Sequence, residues 1–244
     1  MTLPFASATL VALNRRLHEA GLHDFRVRHV ADVKVRHGTR TLIVSDGKRR
    51  VFVKVVPVAQ RMALQAEADG LAALRSVGVR APEPVGSGAS DTEAFLALEH
   101  LTLRSARDGD FVGLAMMLAE LHEAHADQFG FGASNYIGPT PQMNPQTTSW
   151  VTFWRTARLA PQLALAVTNG YSGVLQALGE RILDRLPDIF SGHQPRPSLV
   201  HGDLWTGNAG FTANGAPVLF DPAVYYGDRE TDVAMTELFG GFPP

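Results

Sequence analysis

The sequence contains no cysteine in 244 residues. Disulfides, thiolate metal ligands and a thiol nucleophile are therefore excluded, and a reducing compartment is the natural setting. An excess of charge is also missing, since 22 Lys and Arg stand against 24 Asp and Glu for a formal charge of −2. Such a chain has no field to gather nucleic acid or an acidic membrane surface, so any phosphate it handles must be met locally. No apolar run is long enough to span a bilayer. Met1 to Gly21 shows no basic leader and reads as a helix with Leu10, Leu13 and Leu17 on one face. No nucleic acid, no membrane and a cytoplasmic location are the expectations. Repeats and low-complexity tracts are absent too.

The character of the chain changes near residue 100, which predicts two lobes, 1–100 and 101–244, in an α+β fold. In the first, Thr41-Leu42-Ile43-Val44 and Val51-Phe52-Val53-Lys54-Val55-Val56 are β-rich runs around Asp46-Gly47, a hairpin signal. Residues 61–76 have helical spacing. Pro82, Pro84, Gly86 and Gly88 then break the chain before a strand at Phe95-Leu96-Ala97-Leu98-Glu99. This predicts an antiparallel sheet with one inserted helix. The second lobe reads as mainly helical, with faces marked by Phe111, Leu114, Leu118 and Leu121, by Trp150, Phe153, Trp154 and Ala157, and by Val174, Leu178, Ile182 and Leu186. Residues 130–149, rich in Gly, Pro, Asn and Thr, form a long connection of the kind that serves as a binding loop or lid. Ala209-Gly210-Phe211 and Pro217-Val218-Leu219-Phe220 flank Asn214-Gly215 as a small hairpin ending at Asp221.

The chemistry lies in His201-Gly202-Asp203-Leu204-Trp205-Thr206-Gly207-Asn208 followed by Phe220-Asp221-Pro222. Phosphoryl transfer asks a protein mainly to align an acceptor hydroxyl and to neutralise phosphate charge. The Asp203-to-Asn208 spacing is that of the kinase catalytic loop, and Asp221 takes the place of the metal-binding Asp that follows it. Asp203 would orient or deprotonate the hydroxyl. Asn208 and Asp221 would offer oxygens to Mg²⁺ against the phosphates of ATP. Singly, each is as well explained by a turn or a helix cap; their order along the chain favours the site. Upstream, Lys54 in an apolar strand needs a partner, and Leu64, Glu67, Leu71 and Leu74 place Glu67 on the inward face of the next helix. A Lys54–Glu67 pair is therefore expected. His122-Glu123-Ala124-His125 lacks the His-Glu-x-x-His spacing of a zinc site, and Asp232 is expected to cap its helix or to brace the catalytic loop.

With these residues in place the sequence resembles the fructosamine kinase (ketosamine-3-kinase) family, relatives of aminoglycoside and choline kinases within the protein-kinase-like fold. The resemblance runs from about Val51 onward, through Ala66-Glu67-Ala68-Asp69-Gly70-Leu71, Asn135-Tyr136-Ile137-Gly138, Arg158-Leu159-Ala160-Pro161-Gln162-Leu163 and His201 to Asn208. Its most specific stretch is Asp221-Pro222-Ala223-Val224-Tyr225-Tyr226-Gly227-Asp228-Arg229-Glu230. The resemblance implies a two-lobed kinase that uses ATP and Mg²⁺. Its substrates would be ketoamines, free or on a glycated protein lysine, phosphorylated on the sugar at the third-carbon hydroxyl, after which the adduct decomposes and frees the amine. It implies Asp203 as base, Asn208 and Asp221 as metal ligands, Lys54 and Glu67 as the phosphate-anchoring pair, and Glu99 to Leu101 as the hinge against adenine. Trp205 would lie against the sugar or pack between the lobes, with His201 also on the substrate side.

Two departures stand out. Where relatives carry a glycine-rich hairpin, this chain has residues 28–38 with Gly38 alone, so either Lys34, Arg36 or His37 would cover the phosphates by side-chain charge or the lid would be loose and ATP binding weaker. Relatives also continue through C-terminal helices past the counterpart of Phe242-Pro243-Pro244, so either the chain is a shortened form or part of the C-lobe is missing, and in the second case exposed apolar surface and reduced activity are expected. A kinase for an aminoglycoside or a choline-like amine, and a nucleotide-binding pseudokinase, are the alternative readings.

Overall fold

The computed structural model describes residues 5–36, 38–107 and 109–242; His37, the pair Pro243-Pro244 and the first four residues lie outside them. Five strands, β1 (His29–Arg36), β2 (Thr39–Ser45), β3 (Arg50–Pro57), β4 (Pro84–Ala89) and β5 (Glu93–Glu99), form an antiparallel sheet in the order β1-β2-β3-β5-β4. The nearly unbroken apolar run of β3 follows from its position at the centre, where both faces are covered. Val51, Val53 and Val55 pack with Leu42, Val44 and Phe95 against Leu13 and Leu17 of α1 (Ser7–Glu19). Phe52 and Val56 point the other way, toward Leu64, Leu71 and Leu74 of α2 (Arg61–Ser76). The helix inserted among the strands is α2, whereas α1 precedes them and covers the opposite face. The segment read as a break at Pro84, Gly86 and Gly88 is in fact β4. As an edge strand it tolerates proline, and its register shifts between Pro84 and Gly86.

After β5 the chain is mostly helical: α3 (Asp110–His122), α4 (Trp150–Phe153), α5 (Ala160–Thr168), α6 (Val174–Ile189) and α7 (Glu230–Leu238). A π-helical turn, Trp154–Leu159, joins α4 to α5. The expected faces of α3 and of the Trp150 helix are buried, with Leu114, Leu121, Phe153 and Ala157 in the core. The face of α6 is not. Leu186 is buried, but Val174, Leu178 and Ile182 are 76%, 48% and 46% exposed. Periodicity reports a common face and not what lies opposite it, and among the described residues nothing covers this one.

Short strands hold the site. β8 (Ser198–Val200) pairs with β11 (Tyr225–Gly227), and β9 (Ala209–Phe211) with β10 (Pro217–Leu219), the small hairpin that the sequence announces. Within the 130–149 connection, β6 (Asn135–Ile137) and β7 (Thr140–Gln142) make a further hairpin. No helix among the described residues is long and apolar enough to cross a membrane.

Candidate active site

β8 delivers the loop 201–208 at its end, and β10 delivers Asp221 beside it. The loop backbone is shaped by Gly202 (φ +79°), where an added Cβ would sit 2.2 Å from the Ala223 carbonyl oxygen, so no side chain fits. Asp221 itself has φ +55°, a left-handed conformation that a non-glycine residue keeps only when its surroundings impose it. Behind the loop stands Asp232, on α7. Its Oδ1 accepts from the Gly202 N–H at 2.9 Å, and its Oδ2 accepts from the His201 N–H at 2.8 Å and from His122 Nε2 at 3.0 Å. This carboxylate is 1% exposed, and its hydrogen bonds compensate its burial.

The structure brings Asp203, Asn208, Asp221, Lys54 and Glu67 together. Asn208 Nδ2 donates to the Asp203 carbonyl at 2.8 Å and to Asp203 Oδ2 at 2.9 Å, with a longer contact to the Asp221 carbonyl at 3.5 Å. Asn208 Oδ1 and Asp221 Oδ2 accept no hydrogen bond among the described residues. Those two oxygens suit a hard cation such as Mg²⁺. No cluster of three or more His, Asp or Glu forms an all-protein metal site among the described residues. A cation here would therefore complete its shell with phosphate oxygens.

Lys54 Nζ lies 2.6 Å from Asp221 Oδ1 and 2.8 Å from Glu67 Oε1. Its hydrogen bond is to Asp221; Glu67 Oε1 receives it as an ion pair without an aligned hydrogen bond. Burial alone would lower the Lys54 pKa, but the Asp221 and Glu67 charges override it and hold the ammonium above its ordinary value. Glu67 is pushed up to about 7. Burial does most of this, Asp221 adds to it, and Lys54 opposes it. Two carboxylates share one ammonium, and the more enclosed of them yields, since the Asp221 side chain is 47% exposed against 14% for Glu67.

Asp203 is also raised above the usual carboxylate range. Burial is the main cause, the neighbouring charges of Asp221 and Asp232 reinforce it, and His201 and the Asn208 hydrogen bond work against it. Burial lowers the His201 pKa. A neutral ring fits its contacts, with Nε2 donating to the Phe220 carbonyl at 3.1 Å and Nδ1 accepting the Asp203 N–H at 3.3 Å. His201 is fully buried and both its ring nitrogens are occupied. The substrate contact expected of it is therefore corrected to an internal brace on the loop.

The Trp205 ring lies across Gly207, at 2.2 Å from where a Cβ would be, and meets Phe239 edge-on at 5.5 Å between centroids. It remains half-buried. The Glu99 carboxylate is taken by Arg80 in a bidentate pair at 2.8 and 2.6 Å, which holds it below the ordinary carboxylate range. The Glu99 N–H donates to the Glu83 carbonyl, so Glu99 is tied to residues 80 and 83 through both side chain and backbone. Two concavities of about 290 and 590 Å³, lined respectively by His125, His193 and Asp228 and by Gln128, Phe131 and Tyr226, include none of the five clustered residues. We place the chemistry at the cluster, where complementary charges converge.

Residues without a local signal also contribute. The Arg158 guanidinium stacks 4.1 Å from the Tyr225 ring and donates to the Met143 carbonyl and to Asn144 Oδ1, tying the 130–149 connection to β11. Asn135 and Gln142 reach the backbone of Ala223 and Val224. Such contacts join residues far apart in sequence, and only the quoted resemblance stretches hinted at Asn135 and Arg158.

A five-stranded antiparallel sheet carrying a Lys–Glu pair, set against a helical region that presents Asp203, Asn208 and Asp221, defines a phosphotransferase of the protein-kinase-like class. An aminoglycoside phosphotransferase solved with ADP and hygromycin B shares this fold at TM-score 0.63 and 17% identity, covering 92% of this chain and 75% of its own. The family model described as fructosamine kinase matches residues 10–244, and the chain belongs to the fructosamine kinase family. The probable ketoamine kinase of Synechocystis sp. is 42% identical over 200 residues, 81% of this chain and 67% of that protein. A probable ketoamine kinase of Vibrio cholerae is 37% identical over 239 residues, 96% and 81% of the two chains. The crystal structure of a protein described as a fructosamine-3-kinase from Haemophilus somnus superposes at TM-score 0.87 with 29% identity, covering 95% of this chain and 78% of its own. The chain is accordingly a phosphotransferase acting on a sugar hydroxyl.

Proposed function

We propose that this chain uses ATP and Mg²⁺ to phosphorylate the third-carbon sugar hydroxyl of ketoamines such as ribulosamine or fructosamine adducts, free or on a protein lysine. The role is deglycation in the cytoplasm. The observation that carries it is the convergence of Lys54, Glu67 and Asp221 within 2.8 Å contacts, beside an Asp203 held by Asn208.

In this reading Asp203 accepts the hydroxyl proton in the transition state, and its raised pKa suits that task. Asn208 and Asp221 would hold Mg²⁺, which when bound would neutralise charge on the phosphates. Lys54 steers the phosphates and Glu67 keeps it in place. The backbone around Glu99 and Leu101, at the division of the lobes near residue 100, receives adenine. Trp205 offers the free part of its ring to the sugar.

The missing glycines have a counterpart in the sheet register. Lys34 pairs with Thr41, and Thr41 pairs with Lys54, so all three side chains share one cross-strand row on the cleft face. Lys34, with Arg36 two residues on, is the proposed cationic cover of the phosphates.

The test is Mg²⁺-dependent ADP release with ribulosamine, fructosamine, choline and an aminoglycoside as acceptors, repeated with Asp203→Asn. Ketoamine turnover is expected, with a loss of about 10²–10⁴-fold in the variant while ATP binding persists. Turnover of the aminoglycoside or choline alone would overturn the acceptor assignment. Equal rates for the two proteins would overturn the role of Asp203.

A further inference from the structure

The connection 130–149 is fastened to the segment that follows Asp221. Gly130 and Tyr226 exchange backbone hydrogen bonds at 2.9 and 2.8 Å. Further along, Asn135 Nδ2 donates to the Val224 carbonyl at 2.7 Å, and Gln142 Nε2 is shared between the Ala223 carbonyl at 3.2 Å and Asn135 Oδ1 at 2.9 Å. Asn135 and Gln142 face each other across the open end of the β6–β7 hairpin, and both are buried. Buried amides are tolerated where their donors and acceptors are met, and a met network fixes one geometry.

The backbone they grip is pressed from two other sides. Toward the catalytic loop, the Ala223 N–H donates to the His201 carbonyl at 2.9 Å, and the Ala223 carbonyl fills the space where Gly202 has no side chain. Toward the sheet, α2 comes so close that a Cβ on Gly70 would stand 3.1 Å from Pro222 Cγ and 3.6 Å from Val224 Cγ2. Gly70 is three residues from Glu67, and β6 itself runs alongside α2. Residues 222–224 are thus clamped between the hairpin, the helix that bears Glu67 and the loop that bears Asp203. At the head of this segment Asp221 holds its left-handed φ of +55°, which such a clamp can impose.

We propose that the β6–β7 hairpin is a strut, with Asn135 and Gln142 as positioning residues that fix the Asp221 carboxylate relative to Asp203, Asn208 and Lys54 before any ligand arrives. The inference rests on the proposed role of Asp221 and adds the element that holds it. The connection therefore acts as a fixed wall of the site and not as a lid. A kinase built this way has its metal-side segment assembled in the free protein.

Asn135→Ala and Gln142→Ala loosen the clamp from the hairpin side. Gly70→Ala crowds it from the helix side, while replacing a helical glycine, a change that by itself favours the helix. Leu163→Ala, in α5 and remote from the segment, serves as a control for plain loss of stability. Three quantities are measured without any acceptor: ATP affinity with Mg²⁺ and with chelator, hydrogen exchange at the Ala223 amide, and the thermal midpoint.

The strut predicts that the three clamp variants lose about tenfold or more in Mg²⁺-dependent ATP affinity, keep their affinity in chelator and expose the Ala223 amide to faster exchange. Leu163→Ala should match the loss of thermal midpoint of the two hairpin variants, Asn135→Ala and Gln142→Ala, with neither change. Should the hairpin variants not fold, Gly70→Ala carries the same readings at retained stability. Clamp variants with a lowered midpoint but wild-type Ala223 protection and Mg²⁺ dependence would overturn the proposal. A wild-type protein that binds ATP equally with and without Mg²⁺ would overturn the metal assignment instead, and Ala223 exchange in the variants would still decide the strut.

Discussion

Asp232 offers the sharpest quantitative prediction, because three donors converge on one buried carboxylate. The Gly202 N–H reaches Oδ1, while the His201 N–H and His122 Nε2 reach Oδ2. Hydrogen bonds to a charged group contribute about 1.5–3 kcal/mol each, and an orphaned buried donor costs about 1–3 kcal/mol. In Asp232→Asn the amide can keep its oxygen on the two-donor side and turn its NH₂ toward Gly202. One bond is lost and two donors face each other, a loss of about 2 kcal/mol. Asp232→Ala orphans all three donors, for about 4 kcal/mol, within the range seen when one partner of a buried charged network is removed. At roughly 3 °C per kcal/mol for a chain of this size, the midpoints should fall by about 6 °C and about 12 °C. Urea unfolding followed by tryptophan fluorescence measures both. The same bonds hold the backbone before Asp203, so kcat should fall by about tenfold to a hundredfold at modest change in the KM for ATP. An alanine variant within about 0.5 kcal/mol of wild type would refute the bracing argument.

Other outcomes follow from single contacts. Glu67 has its pKa raised from 4.5 to about 7. The sign for a raised acid is that the stability contribution is present below about pH 4.5 and is lost as pH rises through about 7. Glu67→Gln should flatten that window in metal-free urea titrations, and an unchanged pH slope would count against the buried carboxyl. Lys34→Met should raise the KM for ATP by about threefold to tenfold, as loss of one partly screened charge contact implies, with little effect on the acceptor. Equal values for the two proteins would remove Lys34 from the phosphate cover. Gly202→Ala places a methyl 2.2 Å from the Ala223 carbonyl at φ +79°; a loss of at least about 3 kcal/mol or failure to fold is expected, read from soluble yield and thermal midpoint.

Much of the fold was legible in local pattern. The period of Leu64, Glu67, Leu71 and Leu74 put Glu67 on the inward side of α2, and the apolar run around Lys54 marked a strand; its central place in the sheet came from the structure. The spacing from Asp203 to Asn208 and the hairpin before Asp221 lie within some twenty residues of chain, where sequence order largely dictates proximity. Departures arose where a partner decides the outcome. Pro84 and Gly86 read as punctuation but form β4, because β5 offers an edge to pair with. Val174, Leu178 and Ile182 read as one face of a helix, and that face stands exposed.

By itself, the sequence determined which groups could do phosphoryl chemistry and on which elements they sit, since those depend on residue type and short-range periodicity. Tertiary structure alone decided that Lys54, paired with Glu67 as its strand demands, also bonds Asp221, that His201 turns inward, and that Lys34 falls in the same cross-strand row as Lys54. It also decided that two amides at Asn135 and Gln142 grip a backbone more than eighty residues away. The physical reason is that a buried polar group is defined by what satisfies it, and its partner's place is set by packing across the whole chain.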